Sequence, residues 1–328
     1  MSLSDNRRLN ILVTGANGFV GSALLRRLEA EQKFSVRAAV RRLAGLERKE
    51  GVDWIETGDL AEPADWRTAL QGIDAVVHLA ARVHVMRDTA TDPLAEFRKA
   101  NAEGTLNLAR QALEAGVKRF IFISSIKVNG EATSPGRPYR ADDIPAPEDA
   151  YGISKREAED GLRELCLNST MEFVIIRPPL VYGPGVKGNF FSMMRWLDKG
   201  VPLPLAAIQN RRSLVAVDNL IDLILVCIEH PLAANQIFLA SDGEDLSTPE
   251  LLSKTASALG KRARLLPVPP GLLNFAARCL GKTAAIRKLC GSLQVDTGKT
   301  RERLAWRPPV GIDQALSEAA EHYLGNRK

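Results

Sequence analysis

The stretch Leu9-Asn10-Ile11-Leu12-Val13-Thr14-Gly15-Ala16-Asn17-Gly18-Phe19-Val20-Gly21 joins a short apolar run to a glycine-rich loop, and a segment of helical period follows. Glycine lets the chain turn tightly and lets backbone amides approach a pyrophosphate, while the positive end of the next helix faces the phosphates. The stretch therefore predicts a dinucleotide site between a first strand and a first helix. Its predicted contacts are Gly15, Asn17, Gly18, Phe19, Val20 and Gly21.

Short apolar runs alternate with amphipathic segments through the first half of the chain. Strands are predicted at Leu9–Val13, Val36–Val40, Val52–Glu56, Ala75–Ala80, Phe120–Ser124 and Phe173–Arg177. Helices are predicted at Gly21–Ala30, Ala95–Ala115 and Tyr151–Leu165. This alternation predicts an α/β fold, a Rossmann-type doubly wound parallel sheet that binds ligands at the carboxyl ends of its strands.

Prolines interrupt the chain repeatedly after Arg177, which indicates a smaller second region. We predict a dinucleotide-binding domain over residues 1–178 together with about 213–240. We predict an interleaved substrate-binding lobe over residues 179–212 and 241–328. The interleaving follows from Ser213–Val217 and Gln236–Ala240, which are predicted as strands that return to the sheet.

Composition excludes several classes of function. The chain has 328 residues and a net charge of +5, but its basic residues are spread among acidic ones, so we expect no nucleic-acid binding. The four cysteines lack ligand or disulfide spacing, so neither a metal site nor a disulfide is expected. No signal peptide is recognised, which predicts a cytoplasmic protein. Gly271–Leu289 could form an interfacial helix, but its glycines break the period and favour packing on the second lobe over membrane contact.

Arg41 and Arg42 follow the second predicted strand, where NAD-binding proteins carry an acidic residue for the ribose hydroxyls. An acid would repel a 2′-phosphate, whereas an arginine can bind it through two parallel hydrogen bonds. Arg41 therefore favours NADP(H), with NAD(H) as the alternative. Both arginines could instead lie in a solvated surface loop.

Tyr151 and Lys155 lie four residues apart in a predicted helix, so they share one face. A phenol exchanges protons poorly at neutral pH, but a nearby ammonium stabilises the phenolate and lowers its pKa. Upstream, an apolar strand ends in Ser124 and Ser125, at the edge where such sheets bind ligands. A serine there can donate a hydrogen bond to a substrate oxygen, although either one could instead cap a turn. The set predicts hydride transfer at an alcohol or ketone carbon.

Together these motifs resemble the short-chain dehydrogenase/reductase family, in its extended branch that acts mostly on nucleotide sugars. The resemblance covers nearly the whole chain and includes TGANGFVG at 14–21, GDL at 58–60, HLAA at 78–81, Asn101 with Gly104-Thr105, SSIKVNG from Ser124 and YGISK at 151–155. It implies that Ser125, Tyr151 and Lys155 are catalytic. It implies further cofactor contacts from Asp59, Leu60, Ala80, Ala81, Asn101, Ser124, Tyr151, Lys155 and Pro178.

The later motifs are similar to the same branch. RPPLVYGPG at 177–185, followed by Asn189, resembles its entry into the substrate lobe, and Arg212 matches its diphosphate-binding arginine. The resemblance therefore implies substrate contacts from Ser125, Tyr151, Asn189 and Arg212, a small nucleotide-sugar substrate and a homodimer. A solvated surface arginine is the alternative for Arg212.

Three reactions share this scaffold in the branch. Dehydratases carry an Asp–Glu pair directly after the catalytic hydroxyl, where this chain has Ile126 and Lys127, so dehydration is not expected.

Arg41 and the segments AARVHVM (80–86) and SSIKVNGE (124–131) favour a ketoreductase. It would deliver hydride to C4 of a UDP-4-keto-6-deoxy-N-acetylhexosamine and form a UDP-N-acetyl-quinovosamine type of product. The alternative is a UDP-hexose or UDP-N-acetylhexosamine 4-epimerase with retained NAD. A non-catalytic cofactor-sensing protein is less favoured, because it has no use for Tyr151 and Lys155.

Overall fold

The computed structural model describes residues 7–46, 51–83, 92–279 and 289–327. The chain divides into two compact units. The first contains the described residues up to Val128, Pro145–Arg177 and Ile224–Phe238. The second contains Asn129–Ile144, Pro178–Leu223 and the described residues from Leu239 onward.

Strands and helices alternate through the first unit, and the second unit is mostly helical. In chain order the elements are β1 Leu9–Thr14, α1 Phe19–Ala30, β2 Phe34–Val40, β3 Asp53–Glu56, α2 Arg67–Leu70, β4 Ala75–His78, α3 Pro93–Phe97, α4 Gly104–Glu114, β5 Arg119–Ile123, α5 Ala150–Cys166, β6 Glu172–Arg177, β7 Leu180–Tyr182, α6 Gly188–Asp198, β8 Leu214–Ala216, α7 Val217–Glu229, β9 Gln236–Leu239, α8 Thr248–Ala258, α9 Pro270–Cys279, α10 Gly298–Leu304 and α11 Ile312–Gly325. A π-helical turn at Arg98–Glu103 joins α3 to α4, and a 3₁₀ turn at Ile126–Val128 follows β5.

The first unit is built on a seven-stranded sheet in the order β3-β2-β1-β4-β5-β6-β9. The six strands from β3 to β6 are paired in parallel. Strand order reverses between β1 and β4, which is the topological switch point where sheets of this kind bind ligands. The predicted Rossmann-type sheet is confirmed.

The sheet forms because its central strands are apolar on both faces. Ile11, Leu12 and Val13 of β1 are fully buried, as expected for a strand covered by helices on both sides. One hydrophobic cluster brings together residues of α2, α4, α5 and the central strands, including Leu12, Leu70, Val76, Leu108, Phe120, Phe122 and Leu162. This packing holds the carboxyl ends of the strands in fixed positions.

The second unit contains a two-stranded parallel sheet of β7 and β8 and the helices α6, α8, α9, α10 and α11. The expectation that Ser213–Val217 returns to the large sheet is wrong, because Leu214–Ala216 pairs with Leu180–Tyr182 instead. Gln236–Leu239 does join the large sheet, at its edge beside β6. The predicted helix Ala95–Ala115 is divided into α3, the π-helical turn and α4.

Candidate active site

The predicted cofactor and catalytic residues follow the ends of neighbouring strands. Gly15 follows β1, Arg41 follows β2, Ala80 comes two residues after β4, and Ser125 comes two residues after β5. Because these strands are parallel and adjacent, their carboxyl ends lie at one edge of the sheet. The structure therefore brings these residues to the edge at which the switch point lies.

The glycine loop has no room for side chains. Gly15 has φ +64°, and a Cβ there would lie 2.8 Å from the backbone nitrogen of Ala80. A Cβ on Gly21 would lie 2.2 Å from the carbonyl oxygen of Gly15, so α1 rests directly on the loop. No side chain caps the first turn of α1, and no acidic residue occupies it. Backbone N–H groups at a helix start of this kind suit a pyrophosphate, so the loop fits a dinucleotide.

Arg41 lies close to a predicted cofactor residue. Its Nη1 is 3.4 Å from Oδ2 of Asp59, and the two side chains are 72% and 48% exposed. Asp59 also accepts a hydrogen bond from the backbone N–H of Ala61 at 3.0 Å. The carboxylate therefore stands beside the guanidinium that was predicted to bind a 2′-phosphate, and its negative charge would oppose a phosphate there.

A buried hydrogen-bond chain lies beneath the loop. Nδ1 of His78 is 2.7 Å from Oγ1 of Thr14, and Nε2 is 3.0 Å from Oγ1 of Thr105. Thr105 donates its hydroxyl proton to the carbonyl of Asn101, so its oxygen accepts from Nε2–H, and Thr14 donates to Nδ1. Burial, and then the charge of Lys155, lower the pKa of His78 to about 3, so the ring is neutral. Thr14 also accepts from the backbone N–H of Ala80, which ties the ends of β1 and β4 together.

Tyr151 lies in the first turn of α5. Asp149 is the N-cap of this helix and accepts a hydrogen bond from the N–H of Gly152 at 2.8 Å. The Tyr151 ring makes an edge contact with Phe97, with 6.0 Å between centroids. Burial, and then the charge of Asp149, raise the pKa of Tyr151. The phenol is therefore protonated at neutral pH unless positive charge is brought to it.

Lys155 is 2% exposed and lies one turn further along α5. Its Nζ donates to the carbonyl of Ile123 at 2.8 Å and lies 4.3 Å from the ring centroid of Phe122. These contacts hold the ammonium at the carboxyl end of β5. Burial lowers the pKa of Lys155 to about 7, and the carboxylate of Glu159 acts in the opposite direction.

A buried ion pair anchors the same helix. Arg177 binds Glu159 through Nε at 2.9 Å and through Nη2 at 2.5 Å, and both side chains are 2% exposed. Ser124 donates its hydroxyl proton to the same carboxylate and is buried. Ser124, predicted as a cofactor contact, thus has its hydroxyl hydrogen-bonded to Glu159. The pair fastens α5 to the carboxyl ends of β5 and β6.

Ser125 follows Ser124 and is half-buried, with its Oγ accepting a long hydrogen bond of 3.3 Å from the N–H of Lys127. Ile126 is buried, and Lys127 forms an ion pair with Asp149. Neither of the two positions after Ser125 offers an acid. The arrangement suits hydride chemistry at an oxygen-bearing carbon, whereas elimination of water would need an acid from a position other than these two.

The remaining predicted residues differ in their surroundings. Asn101 is buried, and its amide bonds to the backbone of Arg82 and to Ser154, so it anchors the π-helical turn to α5. Pro178 directly follows β6 and is buried. In the second unit, Asn189 is exposed on α6. Arg212 is half-buried, donates to the carbonyl of Gly291 at 3.1 Å, and has its pKa lowered by burial.

Three features were missed by sequence reasoning: the His78 chain, the Glu159–Arg177 pair and the Lys127–Asp149 pair. One signal was available, because Glu159 lies four residues after Lys155 and so shares its face of α5. Nothing in the sequence indicates that Arg177 pairs with Glu159, because the two residues meet only once β6 lies beside β5 in the sheet.

Some expectations concern residues that the structure describes only in part. Of Gly271–Leu289, residues 280–288 lie outside the described residues, and so do 84–86 of AARVHVM. On α9, Leu272 and Phe275 are exposed, whereas Leu273 is buried. None of the described helices has the length and apolar character to cross a bilayer. Within the described ranges, no group of three or more His, Cys, Asp or Glu side chains is arranged to hold a metal ion.

Comparisons with known proteins agree with this fold. The model of the NAD dependent epimerase/dehydratase family matches residues 11–240. A UDP-glucose 4-epimerase of Vibrio cholerae is 48% identical, over 96% of this chain and 95% of the relative. An N-acetyl-alpha-D-glucosaminyl-diphospho-ditrans,octacis-undecaprenol 4-epimerase of Escherichia coli O157:H7 is 28% identical, over 97% and 96%. The crystal structure of a Bacillus cereus UDP-glucuronic acid 4-epimerase with NAD is similar in fold, with a TM-score of 0.79 at 21% identity over 98% of this chain and 100% of that one.

The chain therefore belongs to the NAD dependent epimerase/dehydratase family. The resemblance to the extended short-chain dehydrogenase/reductases is confirmed, and the protein is an NAD(P)-dependent enzyme of that class.

We predict that Glu159→Gln lowers the free energy of unfolding by about 3–5 kcal/mol, because it leaves the buried Arg177 without its counter-charge. The matched control is Glu157→Gln on the same helix, which removes an ion pair between Glu157 and Arg98 that lies in contact with water. Urea unfolding followed by circular dichroism measures both. Equal losses in the two variants would contradict the anchoring role of Glu159.

We predict that Gly15→Ala weakens NAD binding by at least about tenfold, because the new methyl would strike the backbone at Ala80. Gly116→Ala is the control: its φ of +78° is equally unsuited to alanine, but nothing lies within 4 Å. Titration calorimetry with NAD measures both variants. A loss of affinity in both would assign the effect to general destabilisation of the protein and not to the loop.

Proposed function

We propose that this protein is a nucleotide-sugar 4-epimerase that oxidises and re-reduces C4 of a UDP-hexose or UDP-N-acetylhexosamine on a retained NAD. The observation that carries the proposal is the 48% identity to the Vibrio cholerae UDP-glucose 4-epimerase along nearly the whole chain. The E. coli relative is also named a 4-epimerase. The lack of an acid at Ile126 and Lys127 supports a reaction at one carbon without elimination.

In the proposed mechanism, the glycine loop at Gly15, Gly18 and Gly21 would hold NAD, which would supply the acceptor and donor of hydride for C4 of the sugar. Tyr151 accepts the proton of the C4 hydroxyl and later gives it back. Ser125 donates a hydrogen bond to that oxygen, and Lys155 contributes the positive charge that favours the phenolate. Lys155 supports this role because it shares a face of α5 with Tyr151, one turn away; its Nζ donates to the carbonyl of Ile123 at the end of β5.

Asn189 and Arg212 are proposed as substrate residues, with Arg212 binding the diphosphate. A guanidinium suits phosphate because it offers paired donors in one plane.

The pairing of Arg41 with Asp59 supports NAD over NADP. A carboxylate 3.4 Å from the guanidinium would repel a 2′-phosphate and can accept hydrogen bonds from ribose hydroxyls. NAD in the structures of similar fold agrees with this choice. Asp59 comes from the loop after β3, so the acid would reach the ribose from a different strand than the one on which NAD-binding proteins usually carry it.

A second candidate is a C4 ketoreductase that transfers hydride from NADPH to a UDP-4-keto-6-deoxy-N-acetylhexosamine. The exposure of Arg41 favours it: the guanidinium is 72% exposed at the end of β2, so a 2′-phosphate that displaced Asp59 would find its positive charge there. The reductase would exchange its cofactor in every turnover, whereas the epimerase would not.

The test is incubation of the purified protein with UDP-glucose and, separately, UDP-N-acetylglucosamine, without added cofactor. We expect conversion to the galacto epimer with no net formation of reduced nicotinamide. Chromatography measures the conversion, and absorbance measures the reduced nicotinamide. No conversion, combined with NADPH oxidation only when the UDP-4-keto sugar is supplied, would replace the epimerase by the ketoreductase.

We predict that Tyr151→Phe reduces kcat by at least about 100-fold, because it removes the group proposed to exchange the C4 proton. NAD binding should be retained, as measured by calorimetry. Tyr323→Phe is the control, since it removes a hydroxyl that bonds to Asp198 on α6. Near-normal turnover by Tyr151→Phe would remove this residue from the mechanism.

A further inference from the structure

Lys127 and Asp149 form an ion pair beside Tyr151. Their side chains are each 26% exposed, and Nζ of Lys127 lies 5.9 Å from the centroid of the Tyr151 ring. Lys127 comes from the 3₁₀ turn after β5, two residues after Ser125. Asp149 caps α5, two residues before Tyr151. One charge pair therefore joins the strand that carries the proposed catalytic serine to the helix that carries the tyrosine.

The backbone fixes the geometry of this pair. A Cβ on Gly152 would lie 2.8 Å from the carbonyl oxygen of Lys127 and 3.3 Å from Oδ1 of Asp149. The first turn of α5 thus rests on the backbone of Lys127, which only glycine permits at this distance. The position of Lys127 beside the tyrosine follows from this contact as well as from its ion pair.

We propose that Lys127 and Asp149 are positioning residues whose opposite charges set how readily Tyr151 releases its proton. The inference rests on the proposed role of Tyr151 as the group that exchanges the C4 proton. Asp149 disfavours the phenolate through its negative charge. The ammonium of Lys127 is paired with that carboxylate, and its positive charge offsets the negative charge of Asp149 at the Tyr151 ring. Removing Lys127 alone should make deprotonation of Tyr151 harder, and removing the charge of Asp149 alone should make it easier.

The elements packed against the start of α5 bring further charges, which remain in every variant. On α5 itself they include Lys155, Arg156, Glu157, Glu159 and Asp160, and β6 adds Arg177. The chain around α3 and the π-helical turn adds Arg82, Glu96, Arg98, Lys99 and Glu103. Changes in the titration of Tyr151 can therefore be assigned to the two charges removed.

The experiment is a double-mutant cycle of Lys127→Met, Asp149→Asn and the combined variant. Asparagine is as good an N-cap as aspartate, so the helix start keeps its hydrogen bond. Two quantities are measured on the NAD-loaded protein. The first is the pH at which kcat/KM rises with deprotonation of Tyr151. The second is phenolate absorbance, taken as the difference from Tyr151→Phe carrying the same substitution.

We expect Lys127→Met to move both titrations to higher pH and Asp149→Asn to move them to lower pH, each by about 0.5–1 unit. The combined variant should return near the wild-type position. Lys127→Arg should keep it, and so should the control Lys33→Met, which breaks an ion pair with Glu229 at the amino end of β2.

Shifts in the same direction for both single variants, or no shift, would overturn the proposal, since a purely structural pair has no reason to act with opposite signs. The absorbance titration needs no substrate. If no variant, including the wild type, turns over UDP-sugars, the proposed function fails, while the absorbance shifts still decide the role of the pair.

Discussion

The docking of α5 on the ends of β5 and β6 is the constraint on which the site depends. Glu159 is held by Arg177 and Ser124 in a buried cluster, and Lys155 reaches the carbonyl of Ile123. A buried carboxylate cannot lose its counter-charge without a large cost in stability, so the helix has one position. The same carboxylate opposes the lowering of the Lys155 pKa by burial. The ion pair thus places the helix, and its Glu159 carboxylate favours the charged form of the lysine.

The sheet and the loop were predictable because their signals are local. Apolar runs identify the buried strands, and Gly15 is required by a positive φ and by the close approach of Ala80. The buried network of His78, Thr14 and Thr105 was not predictable, since it joins residues up to 64 positions apart. Nor was the pairing of Leu214–Ala216 with β7, because the pairing of a short apolar strand depends on tertiary contacts rather than on its sequence.

The sequence predicts the type of chemistry, hydride transfer, better than it predicts the particular reaction. From the sequence, Tyr151, Lys155 and Ser125 predict hydride transfer, and Ile126 and Lys127 argue against elimination, but an epimerase and a ketoreductase would use the same three groups. In the sequence, Arg41 favoured NADP. Its pairing with Asp59 was not visible there, because the two residues are 18 positions apart and are brought together by the sheet. The proposal of retained NAD rests on the likeness to proteins named 4-epimerases along nearly the whole chain.

Retention of the hydride distinguishes these two reactions most directly. UDP-glucose deuterated at C4 is incubated with the protein in the presence of excess unlabelled NAD and NADH, and the UDP-galactose formed is analysed by mass spectrometry. We expect the product to keep its deuterium, because a cofactor that is not exchanged would return to C4 the deuteride that was removed from it. Loss of deuterium from the product to the free cofactor would contradict it.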